Sequence, residues 1–325
     1  MCLSKTLVMS LFAKTVGIEQ RPIAKKSQTA ADLCFEAAEK LIDALQWQKE
    51  EIQILVFVTQ TPDYITPATA IVLQSRLNLP NSCLAFDINL GCSAYVYSLS
   101  VVSSLLSNMG FKKGLLLVGD TASKIVSLHD KSTTPIFADA GSATALEYDF
   151  LAHPDIHFNL QSDGSGKDAI IVRDGGARNP FSTNSLTIED NGKGIARNRL
   201  QMEMNGLNVF NFTMREVVPN IKKLLEVMEK QADDFDYFVF HQANKLLNER
   251  IRKKMKLTSE KVPYSLQKYG NTSCATIPVT LVSELQKELA TKKVNLILSG
   301  FGVGLSWGSV AIETDKIICL EMLEI

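Results

Sequence analysis

Short unbroken apolar runs alternate along this chain with longer stretches whose apolar positions recur every three or four residues. Gln53 to Val58 reads as a strand, and its almost continuous apolar character is what a sheet covered on both faces requires. Leu84 to Ile88 is a second strand. Thr29 to Leu45 is an amphipathic helix with Thr29 placed to cap it, and Pro67 to Leu77 is another helix. Ser93 to Met109 is apolar on nearly all sides and closes at Gly110, the signature of a buried helix. Further on, Tyr237 to Phe240 and Asn295 to Ser299 read as strands, and Leu305 to Ala311 continues as a β segment.

The pattern occurs twice. Ile54 to Gln60 resembles Tyr237 to Gln242, with Thr59 and His241 182 positions apart. Asn89-Leu90-Gly91-Cys92 resembles Asn271-Thr272-Ser273-Cys274, again 182 apart, and Leu115 to Gly119 resembles Leu296 to Gly300 at 181. Each copy is expected to run helix, strand, helix, strand, helix, strand. Two such copies with a shared buried helix layer predict an α/β fold, a five-layer α/β/α/β/α sandwich from two duplicated halves. The first half, residues 1–160, carries Cys92; the second, 161–325, carries His241 and Asn271. Near the junction Gly164, Gly166, Gly175, Gly176, Pro180, Gly192 and Gly194 predict loops and short strands.

Composition narrows the function. A length of 325 residues suits roughly two domains of about 150 residues. A formal charge of −1 gives no global basic field for nucleic acid. The local basic cluster Arg250, Arg252, Lys253, Lys254 and Lys256 is either a solvated helix face or a dock for an acidic carrier. The six cysteines form no Cys-x-x-Cys pair, which speaks against a metal site. Most lie in apolar runs as free thiols, suited to a reducing cytoplasm. No run of 18 apolar residues spans a membrane, and Leu7 to Ala13 is too short for a signal peptide.

The candidate chemistry sits at strand ends, where α/β sheets bind ligands. Cys92 follows a strand and the turn Asn89-Leu90-Gly91, and opens the buried helix; backbone N–H groups and the positive helix end are expected to favour its thiolate. Cys92 could equally be a buried structural thiol, as its duplicate Cys274 is expected to be. His241 follows a strand, and its imidazole can handle a proton or donate to an oxyanion; the alternative is a satisfied core histidine. Asn271 either caps the following helix or supplies a second N–H donor. Gly300-Phe301-Gly302-Val303-Gly304 follows a strand without a Rossmann-type helix after it, so it reads as a shaped loop beside the thiol, with the Val303 N–H paired to that of Cys92.

These residues resemble the thiolase-like β-ketoacyl-acyl-carrier-protein synthases of type III. The resemblance runs from Lys14 to Trp307. Its markers are Thr15 to Arg21, Asp87 to Cys92, Phe137 to Gly141, His241 to Asn244, Gly270 to Ser273 and Gly300 to Trp307. It implies an acyltransferase that performs decarboxylative Claisen condensation of an acyl thioester with malonyl-acyl carrier protein, for fatty acid biosynthesis. Cys92 would carry the acyl group, Cys92 and Val303 N–H would form the oxyanion hole, and His241 and Asn271 would stabilise the enolate. Phe210, Gly302, Gly304, Lys14 and Asn244 would contact substrate. It also implies a homodimer, an acyl carrier protein partner, acyl-coenzyme A or acyl-carrier donors, and neither metal nor redox cofactor.

The chain departs from the family at several positions. Ser10 and Lys14 stand where members hold coenzyme A with a tryptophan and an arginine, so a carrier-bound donor is as open as a coenzyme A thioester. Leu246 replaces the carrier-docking arginine, so Arg250, Arg252 and Lys253 are expected to serve. Ala94 replaces a glycine near the acyl tunnel, and Phe137-Ala138-Asp139-Ala140 replaces Phe-Gly-Asp-Gly. The alternative function is acyl transfer from cysteine to an alcohol or amine, a reaction in which relatives on the fold vary the asparagine.

Overall fold

The computed structural model describes residues 16–149, 151 and 156–325, so Ser10 and Lys14 lie outside the described residues. Helix α1 (Ala30–Leu45) begins at Thr29, whose hydroxyl accepts from Asp32 N–H while the Asp32 carboxylate accepts from Thr29 N–H. This reciprocal capping box fixes the start that the sequence predicted. There follow β1 (Ile54–Val58), α2 (Thr69–Arg76), β2 (Leu84–Ile88), α3 (Ala94–Met109), β3 (Lys113–Thr121) and β4 (Asp139–Glu147). The first sheet has the order β2-β1-β3-β4, parallel except for β4.

The second half begins with β5 (His157–Ser162), ahead of the 160/161 boundary expected from the sequence. A tract of short pairs, β6 (Ile170–Ile171) with β9 (Glu203–Met204) and β7 (Glu189–Asp190) with β8 (Ala196–Arg197), leads to α4 (Gly206–Val227). Then come β10 (Tyr237–Phe240), α5 (Lys245–Lys254), α6 (Leu266–Tyr269), α7 (Thr276–Thr291), β11 (Lys293–Gly302) and β12 (Ser306–Asp315). The second sheet has the order β10-β11-β12-β5. The glycine-rich tract is folded rather than loose: Arg173 grips Glu203 at 2.9 and 3.0 Å, and Arg197 reaches the buried Asp130 at 2.9 Å.

Period-two alternation builds the layers. Ile54, Val56 and Val58 face inward onto α3 and α7, which lie between the sheets with Leu116, Val118, Val239, Leu296 and Leu298. Leu55 and Phe57 face outward beneath α1 and α2, and Phe238, Phe240 and Ile297 lie beneath α4 and α5. The result is the five-layer sandwich.

One expected element is absent. The second half has no strand at the place of β2; residues 262–265 run beside β10, joined through Phe238 N–H to Lys261 O at 2.7 Å. Pro263 has no N–H to give a ladder, so pairing stops there.

Candidate active site

The carboxyl ends of β2, β10 and β11 bring the predicted residues to one place. Cys92 is 7 % exposed and lies immediately ahead of α3, in a turn closed by Ala94 N–H to Gly91 O at 2.8 Å. β11 packs against this turn so closely that only glycine fits. A Cβ on Gly302 would lie 2.6 Å from Cys92 Cβ and 2.8 Å from Sγ; one on Gly300 would lie 2.8 Å from Ser93 Cα. Gly91 is equally confined, between Gln60 Oε1 and Val303 Cγ1. The N–H groups of Val303 and of Cys92 itself face the sulfur.

Burial nevertheless pushes the Cys92 thiol up to about 11, against the lowering effect of those N–H groups, and the buried Asp120 carboxylate pushes the same way. The helix end was expected to favour thiolate. Desolvation outweighs it in the closed site, so the resting group is the thiol.

His241 is 1 % exposed, and Phe301 stands edge-on to its ring at 5.5 Å. Its backbone is tied by its N–H to Ser299 O at 2.8 Å and by Asn248 Nδ2 to its own carbonyl at 3.1 Å. Thr276 Oγ1 engages Nδ1 at 2.7 Å, leaving Nε2 as the nitrogen available for chemistry. Burial lowers its pKa to about 3, so the ring is neutral at neutral pH.

Asn271 is 5 % exposed and heads a turn rather than capping a long helix. Its Oδ1 accepts from Ser273 N–H at 2.9 Å. With the oxygen so engaged, the carboxamide keeps its two N–H donors for another partner. The backbone of Asn271 bridges to the first half: its N–H reaches Ile136 O at 3.0 Å and its carbonyl accepts from Ala138 N–H at 2.9 Å.

Ser273 unites the three and was not singled out from sequence. Its hydroxyl faces Cys92, its carbonyl faces His241, and its N–H holds Asn271. Its φ of 54° lies in the left-handed region, which no linear motif announces. Cys274, the duplicate of Cys92, is instead a structural thiol: it is 1 % exposed, points to Val58 O at 3.7 Å, and burial holds it well above its ordinary pKa.

The more peripheral expectations fare less evenly. Gly304, expected to contact substrate, turns with φ +138° just past Val303. Asn244 spends its Oδ1 on Leu247 N–H at 2.9 Å as the cap of α5, so it is first a structural residue. Phe210 is half-buried near the start of α4, but it is Val209 that packs with Val303 against the cluster of Ile136, Phe137 and Leu266. Arg252 makes a two-pronged pair with Glu249 at 2.8 and 2.9 Å and donates to Leu257 O, leaving Arg250 and Lys253 as the exposed members of the expected docking trio. Asp87, part of the motif before Cys92, proves to cap α2: its carboxylate accepts from Thr69 and Ala70 N–H, each at 2.7 Å. Among the described residues no group of three or more His, Cys, Asp or Glu converges as a metal-ligating set, and no helix is long and apolar enough to cross a membrane.

A duplicated sandwich with a thiol, a neutral imidazole and a carboxamide around one turn defines a thiolase-like condensing enzyme. The profile described as 3-oxoacyl-[acyl-carrier-protein (ACP)] synthase III matches residues 86–164, and its C-terminal counterpart matches residues 225–314. The chain is 33 % identical over 302 residues to a β-ketoacyl-[acyl-carrier-protein] synthase III of Streptococcus agalactiae, covering 91 % of this chain and 88 % of that one. It is 33 % identical over 301 residues to one of Clostridioides difficile, covering 91 % and 87 %. Among solved structures, a 3-oxoacyl-(acyl-carrier protein) synthase from Burkholderia xenovorans LB400 superposes with a TM-score of 0.90 at 39 % identity, covering 96 % of this chain and 88 % of the other. The chain belongs to the 3-oxoacyl-[acyl-carrier-protein] synthase III family.

Proposed function

We propose that this protein condenses an acyl thioester with malonyl-acyl carrier protein through an acyl-Cys92 intermediate. The observation that carries the reading is the meeting of Cys92, His241 and Asn271 around Ser273. Cys92 sulfur attacks the thioester carbonyl, and the oxyanion is received by the N–H groups of Cys92 and Val303. The thiol proton passes by way of the neutral His241 to the departing thiolate. Malonyl-acyl carrier protein then binds and its carboxylate leaves as carbon dioxide, with the enolate oxygen held by His241 and the Asn271 amide. The carbanion attacks the acyl carbonyl, a carbon–carbon bond forms, and the bond to Cys92 sulfur breaks. A carboxamide turned to donate has no task in plain acyl transfer to an alcohol or amine, which favours condensation.

In this reading the acyl donor is a coenzyme A or carrier thioester, the acidic carrier docks by Arg250 and Lys253, and the free thiols Cys34, Cys83, Cys274 and Cys319 suit a reducing cytoplasm. The resemblance to the family implies a homodimer, and among the described residues β4 pairs with β3 alone. Among the described residues, Ala143 and Ala145 of β4 line a groove of about 1230 Å³ together with α1, α7 and residues 315–325. That groove does not border Cys92, His241 or Asn271.

Intact-mass measurement with a panel of acyl-coenzyme A and acyl-carrier thioesters, then malonyl-carrier addition with carbon dioxide detection, tests the reading. Cys92→Ala is expected to take no acyl group; His241→Ala and Asn271→Ala are expected to acylate without condensing. An acyl adduct persisting in Cys92→Ala sinks the nucleophile assignment.

A further inference from the structure

Asn271 belongs to the second half by sequence but is held from the first. Two stretches of the first half clamp it. Residues 136–138 bond both its N–H and its carbonyl. The strap 19–24 then fastens those residues and α6 together. Glu19 and Gln20 N–H both donate to Gln267 O, at 2.9 and 3.0 Å, three positions before Gly270. At the other end of the strap Asp139 N–H donates to Pro22 O at 3.0 Å, and the Asp139 carboxylate accepts from Ala24 N–H at 2.8 Å and Ser123 N–H at 2.9 Å.

Arg21 stands in the middle of this strap and touches both sides. Its Nη1 donates to Phe137 O at 2.7 Å, and Phe137 is the residue that bridges to Asn271. Its stem packs where a Cβ on Gly270 would lie, 3.0 Å from Arg21 Cγ, and Gly270 has φ +63°. The guanidinium therefore fixes one wall of the Asn271 turn through the Phe137 carbonyl, while the stem lies against Gly270 on the other. No comparable link joins the strap to His241, which is tied to Ser299, Thr276 and Asn248 of its own half.

We propose that Arg21 is a positioning residue for the Asn271 carboxamide, so that the first half sets the geometry for decarboxylation separately from acylation. This rests on the condensing reading of Cys92, His241 and Asn271. Removing the guanidinium leaves the Phe137 carbonyl without its donor and lets residues 136–138 shift, carrying Asn271 with them. Cys92, on the β2 turn, keeps its own supports.

The two half-reactions separate the outcomes. In Arg21→Met, acylation of Cys92 followed by intact mass is expected to stay within about threefold of wild type, while carbon dioxide release from malonyl-carrier falls about a hundredfold, the scale of a 1 Å misplacement. Arg21→Lys keeps the stem on Gly270 and a cation near Phe137, and guards against a Met variant that does not fold; it is expected to acylate normally and to recover part of the lost decarboxylation. Acylation and decarboxylation falling together in the Lys variant, or decarboxylation unchanged in the Met variant, overturns the proposal. A wild-type protein that does not acylate Cys92, or an Asn271→Ala variant that still releases carbon dioxide at the wild-type rate, would instead remove the condensing reading beneath it.

Discussion

A neutral, buried His241 makes a quantitative prediction about acid. Its folded pKa of about 3 lies far below the ordinary 6.5 because burial penalises the charged ring. As pH falls below 6.5 the unfolded chain takes up a proton that the native protein refuses. A depressed folded pKa therefore contributes stability that is present above 6.5 and is lost as pH falls toward 3. The loss is about 1.4 kcal/mol per pH unit, hence about 2 kcal/mol between pH 6.5 and 5 and about 5 kcal/mol by pH 3. His241→Gln has no such titration. Unfolding free energies from denaturant titration at pH 7, 6 and 5, at one protein concentration, isolate the effect, because other groups cancel in the difference between the two proteins. The wild type is expected to lose about 2 kcal/mol more than His241→Gln between pH 7 and 5. Parallel pH dependences would mean that the native ring accepts a proton in this range, and a resting neutral imidazole would have to be abandoned.

The raised Cys92 pKa predicts that alkylation of the thiol, followed by mass, speeds up about tenfold per unit between pH 8 and 10; a rate already flat at pH 7 would contradict burial as the controlling factor. Gly302→Ala places a methyl 2.6 Å from Cys92 Cβ, and acylation is expected to fall about a hundredfold or more in a stopped assay with an acyl thioester. Asp87→Ala removes the acceptor of two N–H groups at the start of α2 and is expected to cost about 1–2 kcal/mol by denaturant titration, with acylation retained by the folded fraction.

Much of the fold was legible because its signals are local. The unbroken apolar run of Ile54 to Val58, the Thr29 cap and the all-round apolar face of α3 each state a burial requirement within a few residues. The missing partner of β2 in the second half was not legible from the duplication, although Pro263 carried the physical reason. The docking residues show the opposite limit: Arg252 is as basic as Arg250 in sequence, and only the position of Glu249 and Tyr264 shows that it is engaged within its own half.

By itself the sequence determined which side chains could do chemistry and which strand ends would present them, since a strand followed by a turn places its next residue at the sheet's edge. It determined the duplication, and with it the layered architecture. The tertiary structure decided the protonation states, because the cost of charging Cys92 or His241 depends on how much water the surrounding layers exclude. It also decided who holds Asn271. The bonds from Ile136, Ala138 and, through Phe137, Arg21 cross from one half to the other, and nothing in the spacing of residues along a chain measures a distance between two sheets.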